Sequence, residues 1–115
     1  MVLCVVDDLM FSVKISTTAK ARGVSIYFER NPANVLSSIR EKEPSLVIFD
    51  LDSVKLRPME AIAAMKADPL LRVVPTVGFV SHVQTATIAE ARRAGIDEVL
   101  ARSTFSERLP EILSR

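Results

Sequence analysis

The sequence has one cysteine, no long apolar run and almost no net charge, and each shortage removes a class of protein. A lone thiol, Cys4, cannot form a disulfide within the chain. It lies in the apolar run Val2 to Val6 and reads as a small buried side chain rather than a reactive group. With 15 basic and 14 acidic residues mixed along the chain, the formal charge is +1. That balance gives no electrostatic reason to expect nucleic acid or a membrane surface as partner, and it points to small ions or proteins. No apolar stretch approaches the roughly 18 residues of a spanning helix. Asp7 and Asp8 interrupt the apolar start, which argues against a signal peptide, so the expected location is cytoplasmic. Repeats, linkers and low-complexity tracts are also missing. What remains is 115 residues, 49% of them apolar. Residues 1–115 are expected to form a single domain with one real core and no need of a staple.

Five runs rich in Val, Ile and Leu read as strands: Val2 to Val6, Val24 to Phe28, Ser45 to Phe49, Val73 to Val80, and Ile96 to Ala101. The first, third and fourth are nearly continuous in apolar character, as expected of central parallel strands covered on both faces. Helical segments lie between them. The first helix, Leu9 to Arg22, stops at Gly23. The second is capped by Asn31 with Pro32 at its first position, and Val35, Leu36 and Ile39 share a face. Pro58 opens the third, with Met59, Ile62 and Ala63 on one side. Ser81 and Gln84 have capping-box spacing for a fourth helix that ends at Gly95, and Thr104 and Glu107 have it for the last. Pro110 is expected to break or kink that last helix, limiting it to about two turns. Strand then helix, five times over, predicts an α/β fold: a doubly wound, five-stranded parallel sheet of order 2-1-3-4-5 with right-handed crossovers. The ligand crevice of such a sheet lies at the carboxyl ends of the first and third strands.

Asp7 and Asp8 follow the first strand, Asp50 closes the third, and Asp52 lies two residues beyond. The expected strand order brings these carboxylates together. Several neighbouring carboxylates cannot all ionise cheaply, and a divalent cation is the usual remedy. Mg²⁺ suits the set, because it prefers one or two carboxylates plus water and a phosphate oxygen. Taken alone, Asp8 fits a helix N-cap as well as a ligand. The combination is what points to a metal.

These segments resemble the receiver domain of bacterial two-component response regulators, a flavodoxin-like three-layer sandwich. Val2 to Asp8 (Val-Leu-Cys-Val-Val-Asp-Asp) is similar to the family's opening strand with its acidic pair, and Ser45 to Asp50 (Ser-Leu-Val-Ile-Phe-Asp) to its third strand ending in the phosphoacceptor. Leu71 to Val77 resembles the approach to the fourth strand, and Ala94 to Arg102 the fifth-strand segment, so the likeness spans essentially the whole chain. The resemblance implies a regulatory phosphoacceptor rather than an enzyme. Asp50 would take a phosphoryl group from a histidine kinase or phosphotransfer protein, with Mg²⁺ held by Asp7, Asp8, Asp50 and the backbone carbonyl of Asp52.

The chain departs from that pattern where the family senses phosphorylation. The fourth-strand hydroxyl residue is Val80, which cannot donate, and the aromatic switch position of the fifth strand is Val99. Arg102 stands in place of the family lysine, a planar fork instead of a point charge. Ser103 replaces the proline after it, and Ser53, Val54 and Pro58 stand where the family has Met-Pro and Gly. A degenerate receiver acting as a phosphorylation-independent interaction module is therefore a second reading. Receivers often pair through the fourth helix, fifth strand and last helix, which makes a homodimer a candidate assembly. Arg92, Arg93, Arg102 and Arg108 lie in or near that region, most of them expected on a solvated face. Met59 and Met65 read as core rather than a docking patch, and His82 has no second ligand nearby in sequence. A third reading comes from Ile48 to Ser53 (Ile-Phe-Asp-Leu-Asp-Ser), which locally resembles the nucleophile motif of haloacid-dehalogenase-like phosphatases with Asp52 as general acid.

Overall fold

The computed structural model describes residues 1–81 and 85–115. Its five strands are β1 (Val2–Val5), β2 (Ile26–Phe28), β3 (Leu46–Asp50), β4 (Thr76–Val80) and β5 (Glu98–Ala101), all parallel, in the order β2-β1-β3-β4-β5. The helices are α1 (Leu9–Arg22), α2 (Val35–Lys42), preceded by a 3-10 turn over Pro32–Asn34, α3 (Pro58–Ala67), α4 (Thr85–Ala94) and α5 (Arg102–Leu113). This is the expected sheet order.

Strand alternation divides the core into two layers. Leu3, Val5, Val47, Phe49 and Val80 face α2, α3 and α4, where they meet Ile39, Ile62, Met65 and Ala91. Val2, Cys4, Ile48, Val77 and Phe79 face α1 and α5, against Ile15, Phe105, Leu109 and Ile112. The central strands β1, β3 and β4 are buried throughout, whereas β2 and β5, at the edges, are half-buried. No described helix is long and apolar enough to cross a membrane.

Most local signals act as expected. Asp8 caps α1 by accepting from Phe11 N at 3.0 Å, and Gly23 ends it at φ 68°. Asn31 accepts from Ala33 N at 3.0 Å, but the turn it caps is 3-10, and α2 proper starts at Val35. Pro58 is the first residue of α3.

Several expectations need correction. The strands β2, β4 and β5 start later than expected, because Val24, Val73 and Ile96 precede the paired stretch; Val73 is exposed in the turn after α3. Ala63 is exposed, and Pro58, Ala61, Ile62 and Met65 form the buried face of α3. The last helix does not begin at a Thr104 cap. Its N-cap is Ala101, with no side-chain hydrogen bond, and it runs 12 residues with Pro110 inside. Phe105, Leu109, Ile112 and Leu113 recur at helical spacing and are all buried, and that burial outweighs the defect of about 3 kcal/mol that an interior proline brings. The Ser81–Gln84 capping box falls partly, and His82 wholly, outside the described residues.

Candidate functional site

Parallel pairing places Val5 beside Phe49 and Asp50 beside Phe79. Chain leaving β1 therefore meets chain leaving β3, and Asp7, Asp8, Asp50 and Asp52 line one cavity of about 360 Å³ together with Lys55 and Arg102. Val80, one residue on from Phe79, pairs with Ala101, so Arg102 emerges two strands away from Asp50. Its side chain closes that gap because Asp8 is the N-cap of α1 and Arg102 the first residue of α5, and these helices pack on the same face of the sheet.

The Arg102 guanidinium lies among three carboxylates. Nη1 donates to Asp8 Oδ2 at 3.1 Å, Nη2 lies 3.9 Å from Asp50 Oδ1, and Nε lies 3.7 Å from Asp52 Oδ2. Only the first is a hydrogen bond, and Nε is buried with no hydrogen-bond partner among the described residues. The group stacks 4.7 Å from the Phe11 ring centroid and 5.5 Å from that of Phe79, at the end of a stack of Phe11, Phe79 and Phe105. Lys55 Nζ approaches Asp7 Oδ1 at 3.7 Å from the rim.

Asp50 is the buried acid, 3% exposed. Its Oδ1 accepts from Asp52 N at 3.1 Å, leaving Oδ2 as the oxygen not engaged there. Burial pushes its pKa up, outweighing the Asp52 N–H and the Arg102 charge, while Asp52 and Asp8 push the same way as burial. Asp8 moves in the opposite direction. The Phe11 N–H holds its carboxyl below the usual range, against burial, with help from Arg102. Asp52 Oδ2 accepts from Ser81 N at 2.7 Å, which ties the carboxylate that the phosphatase reading needs as a free acid.

A divalent cation finds hard oxygen donors here, in an arrangement not set for one. Among the described residues, no group of three or more His, Cys, Asp or Glu side chains is placed to hold a metal ion. Asp8 spends one oxygen on Phe11 N and the other on Arg102. Asp7 and Asp50 remain, which is within the one or two carboxylates that Mg²⁺ ordinarily takes.

The two expected switch positions are packing residues. Val80 is buried and Val99 is partly buried against the same core cluster. Arg102 itself sits in the first turn of α5 rather than in β5. Arg108 pairs with Glu98 and Glu111 of its own chain, while Arg92 and Arg93 are exposed. Met65 is fully buried and Met59 partly so. Sequence reasoning did not find Lys55 or the Phe11–Phe79 platform. The signal for the platform was available: Phe79 precedes Val80 on β4 and so faces the opposite layer, the one under α1 and α5.

No protein-family model matches the chain, and no curated protein matches it. Solved structures do. A response regulator from Hahella chejuensis superposes with a TM-score of 0.86 at 21% identity, over 98% of this chain and 91% of that one. The receiver domain of sensor histidine kinase PA1611 from Pseudomonas aeruginosa PAO1, with a magnesium ion coordinated in its active-site cleft, gives 0.85 at 18%, over 99% and 93%. The Mn²⁺-bound form of response regulator Rcp1 gives 0.81 at 18%, over 98% and 91%. At this identity the likeness establishes a common fold: the chain has the five-stranded receiver fold from end to end.

Proposed function

We propose that residues 1–115 act as one receiver-type signalling domain in which Asp50 accepts a phosphoryl group from the phosphohistidine of a histidine kinase or phosphotransfer protein. The observation that carries this reading is the placement of Asp50: a buried carboxylate ending β3, in one cavity with Asp7, Asp8 and a guanidinium, on a fold shared with receiver domains. In the transfer, an Asp50 oxygen forms the new P–O bond as the P–N bond to the donor imidazole breaks. The donor imidazole takes the bonding pair and picks up a proton from solvent water. The chain's own task is positioning and charge: Asp52 N–H orients Asp50, and Arg102 offsets negative charge gathering on the phosphoryl oxygens. Asp7, Asp8 and Asp50, with the Asp52 carbonyl, would hold Mg²⁺, Asp8 doing so once Arg102 has released it. The magnesium ion in the active-site cleft of the PA1611 receiver domain and the Mn²⁺-bound form of Rcp1 support that assignment. When bound, the ion neutralises charge on the phosphoryl group and the attacking carboxylate.

The second reading, a phosphorylation-independent interaction module, is favoured by two observations: Arg102 already partly neutralises the carboxylates, and Val80 and Val99 supply neither the hydroxyl nor the ring of the family's relay. Under either reading, pairing of two copies through α4, β5 and α5 is the assembly we expect, with Arg92 and Arg93 as exposed charges on that face. Incubation with a small phosphodonor and Mg²⁺, followed by intact mass, tests the choice. Phosphoacceptor chemistry adds one phosphoryl group to the wild type and none to Asp50→Asn. No adduct at saturating donor rejects it in favour of the interaction module.

A further inference from the structure

The guanidinium of Arg102 does more at this site than stand in for a lysine. A lysine offers one compact charge, whereas the planar fork of Arg102 presents a separate nitrogen to each of Asp8, Asp50 and Asp52, at 3.1, 3.9 and 3.7 Å. Its position is built into the fold. Phe11 and Phe79 carry it on their ring faces, and Phe105 backs them, so the aromatic stack between α1, β4 and α5 aims a fixed positive charge at the acids. The hold is incomplete. Two of the three carboxylate approaches are longer than hydrogen bonds, and the buried Nε donates to no acceptor among the described residues. A buried donor without a partner costs free energy that is recovered when the group moves out to water. This is a cation kept in place by charge and stacking, and one that can leave.

We infer that Arg102 is an internal counter-ion that competes with a divalent cation for Asp8 and Asp50, so that a metal enters the pocket only as the guanidinium withdraws. The inference deepens the phosphoacceptor reading and rests on it for its biological use, but it is a statement about binding and is tested apart from phosphorylation. Competition follows from the shared donors. Asp8 and Asp50 would hold a divalent ion with the carboxylates that now face Nη1 and Nη2, and two like charges drawn to the same oxygens repel strongly in a partly buried site. Lys55 contributes the same formal charge but sits at the rim, 64% exposed, facing Asp7 at 3.7 Å, where solvent screens it.

Mn²⁺ and Mg²⁺ titrations of the full chain, read by water-proton relaxation and calorimetry, test the idea on wild type, Arg102→Gln, Phe11→Leu and Lys55→Gln. Arg102→Gln should tighten cation binding by at least about tenfold, the equivalent of about 1.4 kcal/mol. Phe11→Leu, which removes the stacking face while leaving the charge, should tighten it by a smaller factor. Lys55→Gln should change it by less than either. Equal affinity in wild type and Arg102→Gln overturns the inference. So does a gain in Lys55→Gln as large as in Arg102→Gln, because the effect would then belong to net charge rather than to the placed guanidinium. A phosphodonor assay on the same samples separates the two claims. Phosphorylation without the affinity gain refutes the counter-ion alone, and the affinity gain without phosphorylation in any variant refutes the phosphoacceptor reading alone.

Discussion

Each rim of the sheet carries a charged cluster, and the two are satisfied to different degrees. At the amino ends of β4 and β5, Asp97 Oδ2 accepts from Lys66 Nζ, Thr76 N and Thr76 Oγ1 within 2.8–3.0 Å, and Thr76 Oγ1 accepts in turn from Asp97 N. Lys66 spends its other protons on the carbonyls of Arg72 and Val74. That cluster is saturated. At the carboxyl rim, the cationic side chains that pair with Asp7, Asp8, Asp50 and Asp52 among the described residues are Arg102 and Lys55 alone, several of these contacts exceed 3.5 Å, and a buried Arg102 nitrogen has no hydrogen-bond partner there. A group of charges whose hydrogen bonds close on themselves fastens the chain. One left short of positive charge and of donors has capacity for something that arrives.

Substitution should separate the two rims by sign. Asp97→Ala removes the acceptor for Thr76, which is fully buried, and an orphaned buried donor costs about 1–3 kcal/mol. Urea unfolding at neutral pH should show that loss. Arg40→Ala, which breaks an exposed pair with Asp68, should change stability far less, because solvent screens that pair. If Asp97→Ala were as mild, the amino-rim cluster would be ornament and the contrast between the rims would fail.

Neutralising the carboxyl rim should stabilise. Because burial raises the Asp50 pKa, the folded chain holds that proton more tightly than the unfolded chain, and stability falls as pH rises through the folded-state value. Asp50→Asn is neutral throughout. At pH 7 it should raise unfolding free energy by on the order of 1 kcal/mol, part of the 1–3 kcal/mol cost of burying an undercompensated polar group. At about pH 3, below the ordinary carboxyl range, the wild-type group is itself protonated and the difference should vanish. A destabilised Asp50→Asn at pH 7 would mean that Arg102 already compensates the acid in full.

How far the sequence revealed these rims follows from the range of the forces involved. The acids at the carboxyl rim were legible because continuous apolar runs such as Val2 to Val5 and Leu46 to Phe49 mark central parallel strands, and the strand order then fixes which ends are neighbours. Strand starts were less legible, since Val24 and Val73 have strand-like side chains but lie outside the paired stretches. The start of α5 was misread because a capping-box spacing at Thr104 and Glu107 is a local signal. The burial of Phe105, Leu109 and Ile112 against the sheet is not, and it set the helix from Arg102 onward through Pro110. The same limit half-hid the platform under Arg102: the layer that Phe79 faces was readable from β4, but not which residue of α1 stacks on it. Asp97 went unremarked for a related reason: its partners lie 21 and 31 residues away.

The smallest of these effects concerns Asp8, which belongs to both kinds of cluster. Its Oδ1 is a helix cap, a structural bond to Phe11 N, while its Oδ2 meets Arg102. The two roles separate in paired variants. Asp8→Ala loses the cap and should cost about 1 kcal/mol, whereas Asp8→Asn keeps an acceptor for Phe11 N and should cost a few tenths, the scale of a partly exposed, solvent-screened ion pair. The acid limb gives an independent reading. The Asp8 pKa is lowered in the folded chain, so its ionised form contributes stability that is fully present above the unfolded carboxyl value and is lost as pH falls through the lower folded one. Asp8→Asn should flatten that part of the acid unfolding curve. An Asp8→Asn chain as unstable as Asp8→Ala would place the weight of this residue on Arg102 rather than on the helix, and would make the guanidinium a structural fastener instead of a displaceable charge.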